Sequence, residues 1–327
     1  MSSQRSDNDW LNAAARLAER GRPLSRPNPT VGAIIVKDGV VVGRGWTQAG
    51  GRPHAEAVAL AQAGELARGA TVYVSLEPCA HQSERGPSCT SLILNAAPAR
   101  VVIGCEDPDP RTAGSGIAAL RAAGIEAVLL NSPAAKASLA GYLIRTRQNR
   151  PHVTLKLATS LDGKIALPDG SSRWITGPES RAHAHLERAR CDAILVGGET
   201  LRTDEPRLDV RLGGLEARSP ARYVLTRGDV PAGWHQVSDI TAPGAFTDAQ
   251  YLLVEGGAGA AATFLKADLV DRLLLYRAPI VIGEGRPCIG DIGLTHLDAA
   301  HGRWELVDRR RLGSDTLDVY QRLRKET

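Results

Sequence analysis

The segments PHAEAVAL (53–60) and SLEPCAHQSERGPSC (75–89) constrain this chain more than any other feature. They place one imidazole, His54, and two thiols, Cys79 and Cys89, around one carboxylate, Glu56. Imidazole together with thiolate is a donor set that zinc favours, and a catalytic zinc site keeps one of four positions open for water. One His and two Cys supply three ligands and leave that position free, so the fold must bring three separated side chains to one point. A lone histidine is usually a satisfied polar residue, and lone cysteines are commonly buried; Cys105, Cys191 and Cys288 are read that way. His81 is read as a loop or substrate residue rather than a fourth ligand.

Glu56 stands two residues from His54, a spacing poorly suited to ligation from one helical face. At a helix start just after Pro53, its carboxylate can instead point at a metal-bound water. There it can take the water's proton and pass it to a leaving amine, which is what hydrolytic deamination requires. The zinc-deaminase signature is H-x-E followed by P-C-x-x-C. Here H-A-E and P-C match, and nine residues separate the cysteines instead of two. Cys89 is expected to open the next helix, where the positive end of the dipole favours thiolate. Asn28, in SRPNPTVGAIIV, offers an amide that can donate to and accept from a pyrimidine edge, although Asn-Pro is also ordinary turn chemistry.

The 327 residues suit two domains, each α/β. The first, 1–147, reads as a helix at 10–20, a hairpin at 31–46 around Asp38-Gly39, a helix at 55–67, a strand at 71–76, a helix at 89–96, a strand at 100–105, a helix at 116–123 and a strand at 125–130. Only the polar stretch Met1–Asp9 is expected to lack structure. The run RTRQNRP marks the seam. The second domain, 148–327, reads as strands at 153–158, 193–197, 221–226, 251–255 and 272–283, helices at 178–190 and 259–267, and a closing hairpin around 313–315.

In that second half, strand 251–255 runs into Gly256-Gly257-Ala258-Gly259 and a helix. Glycines let the backbone approach a phosphate, and a helix N-terminus favours an anion. The cluster imitates a dinucleotide fingerprint, but the acidic residue after the next strand, Glu284, comes later than the spacing that fold expects.

Taken in order, RPNPTVGAIIVKDG, PHAEAVAL, SLEPCAHQSERGPSC, VTLKLATSLDGKIA, SSRWITG, ILVGGETLRTDEPRL and LLVEGGAG resemble the bifunctional deaminase/reductase family of riboflavin biosynthesis. The resemblance runs from about Trp10 to the end. It implies a cytidine-deaminase-like three-layer domain followed by a dihydrofolate-reductase-like domain. It implies that the first converts 2,5-diamino-6-ribosylamino-4(3H)-pyrimidinone 5′-phosphate to the corresponding uracil, and that the second reduces the ribosyl chain to ribityl with NADPH. Carried over by motif, His54, Cys79 and Cys89 hold zinc and Glu56 moves the proton. Ala158, Trp174, Thr200, Asp204, Thr226 and residues 257–263, with Gly257, Ala258 and Gly259 foremost, line the cofactor. Ser172, Arg188, Arg211 and Glu255 meet the substrate with Asn28 in the other domain. Guanidinium groups suit a phosphate monoester. Asp162-Gly163 is expected to turn beside the cofactor. A homodimer is the family's expectation.

Composition excludes other classes. Forty basic against 36 acidic residues and 4% aromatics do not make a surface for a flipped nucleic-acid base. No apolar run reaches the ~20 residues that span a bilayer. Without a signal pattern, and with five cysteines that do not read as a disulfide framework, the expected compartment is the cytoplasm. A chain with only one active half, or a regulatory nucleotide binder that kept the fold, are the remaining readings; the intact His54, Glu56, Cys79 and Cys89 set opposes the latter.

Overall fold

The computed structural model describes residues 5–81, 84–246 and 248–324. The chain divides into two compact units, Met1–Arg150 and Pro151–Thr327. The run expected to form the seam is helical through Gln148, and Asn149 closes that helix in the left-handed conformation (φ 53°). Asn tolerates this conformation better than most residues.

In the first unit, α1 (Asp7–Ala18) begins inside the stretch expected to lack structure. Ser6 and Asp9 form a reciprocal cap: the Ser6 oxygen accepts from the Asp9 N–H at 3.3 Å, and the Asp9 carboxylate accepts from the Ser6 N–H at 2.9 Å. Strands β1 (Gly32–Lys37) and β2 (Val40–Trp46) form the expected hairpin. Its two turn residues, Asp38 and Gly39, both have positive φ, at 50° and 77°, which is why Asp-Gly suits this turn. Then follow α2 (Ala55–Ala63), β3 (Thr71–Val74), α3 (Cys89–Ala96), β4 (Arg100–Ile103), α4 (Ser115–Ala122), β5 (Glu126–Leu129), α5 (Pro133–Ser138) and α6 (Ala140–Gln148).

The sheet order is β2-β1-β3-β4-β5, with β3, β4 and β5 parallel and β1 antiparallel to both its neighbours. Alternate residues of a strand face opposite sides. Ala33, Ile35, Val72, Val74, Val101 and Ile103 therefore pack on one side with Ala59, Ile93 and Leu120. Ile34, Val36, Tyr73 and Val102 pack on the other with Trp10, Leu11 and Ala14. The result is three layers, two cores and one sheet.

The second unit contains β6 (His152–Thr159), β7 (Lys164–Ala166), α7 (Pro178–Arg188), β8 (Ala193–Gly197), α8 (Gly198–Asp204), β9 (Ala221–Leu225), β10 (Trp234–Val237), β11 (Tyr251–Val254), α9 (Ala258–Lys266), β12 (Val270–Arg277), β13 (Arg286–Pro287), β14 (Trp304–Leu312) and β15 (Asp315–Arg322). Eight strands form one sheet in the order β10-β9-β8-β11-β6-β12-β15-β14. The six from β10 to β12 are parallel, and β15 and β14 close it antiparallel. Strand β12 stops at Arg277, short of the expected 283. Pro279 has no N–H to give to a ladder. Beyond it the Asp162 carboxylate accepts from the N–H groups of Ile282 (3.1 Å) and Gly283 (2.7 Å).

The helix that begins with the metal-binding motif is seated on bare backbone. Added methyl groups at Gly43 and Gly45 of β2 would lie 2.2 Å from the Ala59 carbonyl oxygen and 2.3 Å from the Ala55 carbonyl oxygen. Both contacts are far inside van der Waals distance, so α2 can lie this close only because β2 carries glycine there. Gly45→Ala is expected to lift the first turn of α2 and to destabilise the chain by about 1–3 kcal/mol, the usual cost of overpacking. Thermal unfolding of the full-length protein measures this; an unchanged melting temperature would show that the helix is not held by this contact.

Candidate active site

The first site grows from two helix starts and one strand end. His54 is the N-cap of α2 and its backbone is extended, so its side chain leaves the helix axis. Glu56 lies in the first turn of α2 and is buried. Cys79 lies in the loop beyond β3. Cys89 is the first residue of α3, whose N-cap Ser88 accepts from the Ser91 N–H.

The three donor atoms all lie within 4.8 Å of one another. His54 Nδ1 is 3.2 Å from Cys89 Sγ and 3.6 Å from Cys79 Sγ. Tetrahedral zinc, with bonds of about 2.0–2.1 Å to nitrogen and 2.3 Å to sulfur, places such atoms roughly 3.5 Å apart. The donor set therefore fits one zinc-sized tetrahedral centre.

The electrostatics agree with a cation at that point. The Cys89 thiol beside Cys79 is the largest influence drawing Cys79 down, to about 4, with burial opposing it and His54 assisting. Cys89 is pushed up in turn, because its sulfur donates to Cys79 and is itself buried. Two sulfurs so close cannot both ionise without a positive charge between them. Burial pushes the Glu56 carboxyl up to about 7, against the attraction of His54. A carboxyl poised near neutrality both accepts and releases a proton.

The loop carrying Cys79 is fixed from behind by Glu77, which is 2% exposed. Its carboxylate accepts from the N–H groups of Gly114 (3.0 Å), Ile117 (3.1 Å) and Asp107 (3.3 Å). The hydroxyl of Thr90 donates to the carbonyl oxygens of Pro78 and Cys79, each at 3.1 Å. Sequence reasoning quoted Glu77 inside the motif without giving it a role; a carboxylate between Leu76 and Pro78 in an otherwise apolar strand exit was the available signal. Asn28 stands at the site, its amide nitrogen 3.2 Å from His54 Nε2 and 3.0 Å from the Gly51 carbonyl oxygen that accepts from it. Such a partner orients a ligating imidazole. His81 turns to the Thr112 hydroxyl at 3.3 Å and is outside the donor cluster. Arg85 donates to the Gly50 carbonyl oxygen at 2.9 Å. Cys105 and Cys191 are buried as expected, while Cys288 is only half-buried.

The second unit holds a cavity of about 1070 Å³ along the C-terminal ends of its parallel strands, the usual place for a ligand in such a sheet. Of the residues named from sequence, Ala158, Ser172, Trp174, Arg188, Thr200, Asp204, Arg211, Glu255, Gly257, Ala258 and Gly259 lie on its wall. Thr226 does not: the wall is formed there by Leu225, and the Thr226 hydroxyl accepts from the Gly228 N–H at 3.1 Å. Asp162-Gly163 does turn (Gly163 φ 76°), but it braces residues 282–283 rather than the wall.

Glu255 is the electrostatic centre of this cavity. Arg188 donates to it twice, from Nε at 2.7 Å and Nη2 at 2.9 Å, and spends Nη1 on the Asp209 carbonyl oxygen at 3.1 Å. Lys156 Nζ stands 3.7 Å from the same carboxylate. Burial works to raise Glu255, yet Lys156 and Arg188 together hold it down at about 2. Arg188 is thus committed to an ion pair, whereas Arg211, 57% exposed, reaches Asp209 only at 3.5 Å. Sequence reasoning passed over Lys156 and Tyr276, both on the wall. Lys156 was visible as the one cation inside the strand VTLKLA.

Comparison with known proteins follows this division. The model for the cytidine and deoxycytidylate deaminase zinc-binding region matches residues 4–105, and that for the RibD C-terminal domain matches residues 151–239 and 246–317. Riboflavin biosynthesis protein RibD of Aquifex aeolicus is 37% identical over 89% of this chain and 92% of that protein. RibD of Mycobacterium tuberculosis H37Rv is 38% identical over 89% of this chain and 90% of its own length. Among solved structures, RibD of Acinetobacter baumannii matches with a TM-score of 0.85 and 32% identity, covering 97% of this chain and 99% of that one. A deaminase/reductase of Thermotoga maritima gives a TM-score of 0.85 at 29% identity, with the same coverage. The chain belongs to the RibD family of bifunctional enzymes of riboflavin biosynthesis, with a zinc-binding deaminase domain followed by a reductase domain.

Proposed function

We propose that the first unit deaminates 2,5-diamino-6-ribosylamino-4(3H)-pyrimidinone 5′-phosphate, and that the second reduces the ribosyl chain of the product to ribityl with NADPH. The observation that carries the reading is the convergence of His54 Nδ1, Cys79 Sγ and Cys89 Sγ beside the buried Glu56. The printed name of the Thermotoga protein, a diaminohydroxyphosphoribosylaminopyrimidine deaminase and 5-amino-6-(5-phosphoribosylamino)uracil reductase, supports the substrate pair.

His54, Cys79 and Cys89 would hold the zinc, which supplies a water of lowered pKa at its fourth position. Glu56, buried beside the cluster, would take the nucleophilic water's proton and pass it to the departing amine, so that ammonia leaves neutral. Asn28 keeps the imidazole turned toward the sulfurs and borders the space for the pyrimidine. In the second unit, NADPH supplies the hydride. The first turn of α9 after Gly257 offers N–H groups to the pyrophosphate. Ala158 and Trp174 would flank the nicotinamide, and Thr200 and Asp204, on the same cavity wall, would lie along the rest of the cofactor. Ser172 and Glu255 hydrogen-bond the ribose hydroxyls, with Arg188 keeping Glu255 charged and aimed, and the exposed Arg211 is the guanidinium available to the substrate's phosphate.

Glu56→Gln is expected to lower deamination by at least 10²-fold while reduction of supplied deaminated intermediate continues. Ammonia release and NADPH oxidation, followed separately, decide this; joint loss of both would contradict two independent sites. Purified protein is expected to carry one zinc per chain, and Cys89→Ser to lose it, as read by elemental analysis. A metal content unchanged in the variant would remove Cys89 from the centre.

Glu255 also predicts a pH dependence. Its folded pKa lies below the ordinary value, so its contribution to stability is complete above about 4.5 and fades as pH falls toward 2. Glu255→Gln is expected to be less stable than the parent near pH 7 by about 3 kcal/mol, as when one member of a buried pair is removed, with the gap narrowing below about pH 4.5. Urea unfolding across that range measures it; a gap that is constant with pH would show that the charge is not what Glu255 contributes.

A further inference from the structure

We propose that Arg202, Arg227 and the Thr226 hydroxyl form the corner that receives the 2′-phosphate of the dinucleotide, and so set the preference for NADPH over NADH. This rests on the NADPH reading above and adds the residues that would enforce it.

The cavity runs along the ends of β12, β6, β11, β8 and β9, touching Tyr276, Ala158, Glu255, Gly197 and Leu225 in that order. The reacting end is taken at Ala158 and Lys156 of β6, beside Glu255. The glycines ahead of α9 lie in the middle, where backbone can approach a pyrophosphate. The stretch between the ends of β8 and β9 is what remains for the adenosine half.

Two elements meet at that far end. A methyl group added to Gly198, itself on the cavity wall, would lie 3.1 Å from Thr226 Oγ1 and 3.2 Å from Arg202 Nη1. The hydroxyl at the end of β9 and the guanidinium from α8 therefore face one point beside the cavity. Arg227 follows Thr226 directly and is exposed. The turn is held: the Gly228 N–H donates to Thr226 Oγ1 at 3.1 Å, and Gln236 Nε2 donates to the Gly228 carbonyl oxygen at 2.9 Å. Thr226 Oγ1 accepts that bond and still has its own proton to give.

Charge bookkeeping distinguishes this corner from the rest of the cavity. Arg188 and Lys156 share Glu255, Arg286 pairs with Glu199 at 2.9 Å, and Arg207 pairs with Asp209 at 2.6 Å, which Arg211 reaches only at 3.5 Å. Arg173 and Arg181 donate to the carbonyl oxygens of Asp204 and Thr176. Among the described residues, Arg202 and Arg227 have neither an ion pair nor a hydrogen-bond partner. Two unpaired guanidinium groups and a donating hydroxyl suit a phosphate monoester dianion. NADH, with a 2′-hydroxyl in that place, would leave both cations without an anion.

The test uses the full-length enzyme and the deaminated intermediate, with initial rates measured over a range of NADPH and of NADH. Arg202→Ala and Arg227→Ala are each expected to lower the ratio of kcat/KM for NADPH to that for NADH by about tenfold, and Arg202→Lys by less. The inhibition constant of adenosine 2′,5′-bisphosphate against NADPH should rise by a similar factor, while that of ADP, which lacks the 2′-phosphate, should move much less. An unchanged ratio in both alanine variants, or equal losses with the two cofactors, would overturn the assignment while leaving the NADPH reading standing. A parent enzyme that prefers NADH would overturn the NADPH reading itself.

Discussion

The rest of the first unit depends on holding two sulfurs and one imidazole nitrogen within bonding range of a single point. Left without a cation, that arrangement sets one thiolate against a second thiol and a buried carboxyl, and the opposed shifts of Cys79 and Cys89 express the conflict. Only a rigid frame keeps such groups together. It is made of backbone: glycines in β2 let α2 settle against the sheet, and the buried Glu77 gathers three N–H groups around the loop that carries Cys79. Glu77, two residues before Cys79, thus does structural work, while Glu56 is the carboxyl proposed to move a proton. Their environments separate the roles, since Glu77 accepts three N–H bonds while Glu56 is buried with its pKa raised.

The second unit solves a different problem. Its cavity must accept a large, multiply charged ligand without leaving its own cations in disorder beforehand. Several of them are held by carboxylates, with Glu255 serving both Arg188 and Lys156 and Glu199 serving Arg286. Pairing fixes side chains in the geometry that the ligand will meet, which reduces the ordering cost of binding.

Much of the fold was legible. Asp38-Gly39 fixed a hairpin because both turn residues must adopt positive φ, and α3 begins at Cys89 and ends at Ala96 as its sequence suggested. Elements without a periodic stripe were not: α5, α6, α8, β7 and β10 are short, or are polar on much of their surface, and owe their form to what they pack against. Residues 7–9 were misread because the Ser6/Asp9 cap was outweighed by the stretch's polarity, residues 1–4 of it lying outside the described residues, and β12 was overextended because an apolar run continues past Pro279. At the candidate metal site, His54, Cys79, Cys89 and Glu56 were singled out from motif, and the structure brings the three donors together beside the buried Glu56. In the cavity Thr226 missed the wall by one position, and the pairing of Arg188 with Glu255, 67 residues apart, had no local signature.

By itself the sequence determined which donor atoms the chain possesses, the chemistry those donors can do, and the order of its two α/β units, because donor type and hydrophobic period are local properties. Tertiary structure alone decided which nitrogen of His54 turns to the sulfurs, that Glu77 braces the Cys79 loop, and which arginines are already paired. Those outcomes depend on distance and dielectric between residues far apart in the chain, quantities that exist only once the backbone has closed around them.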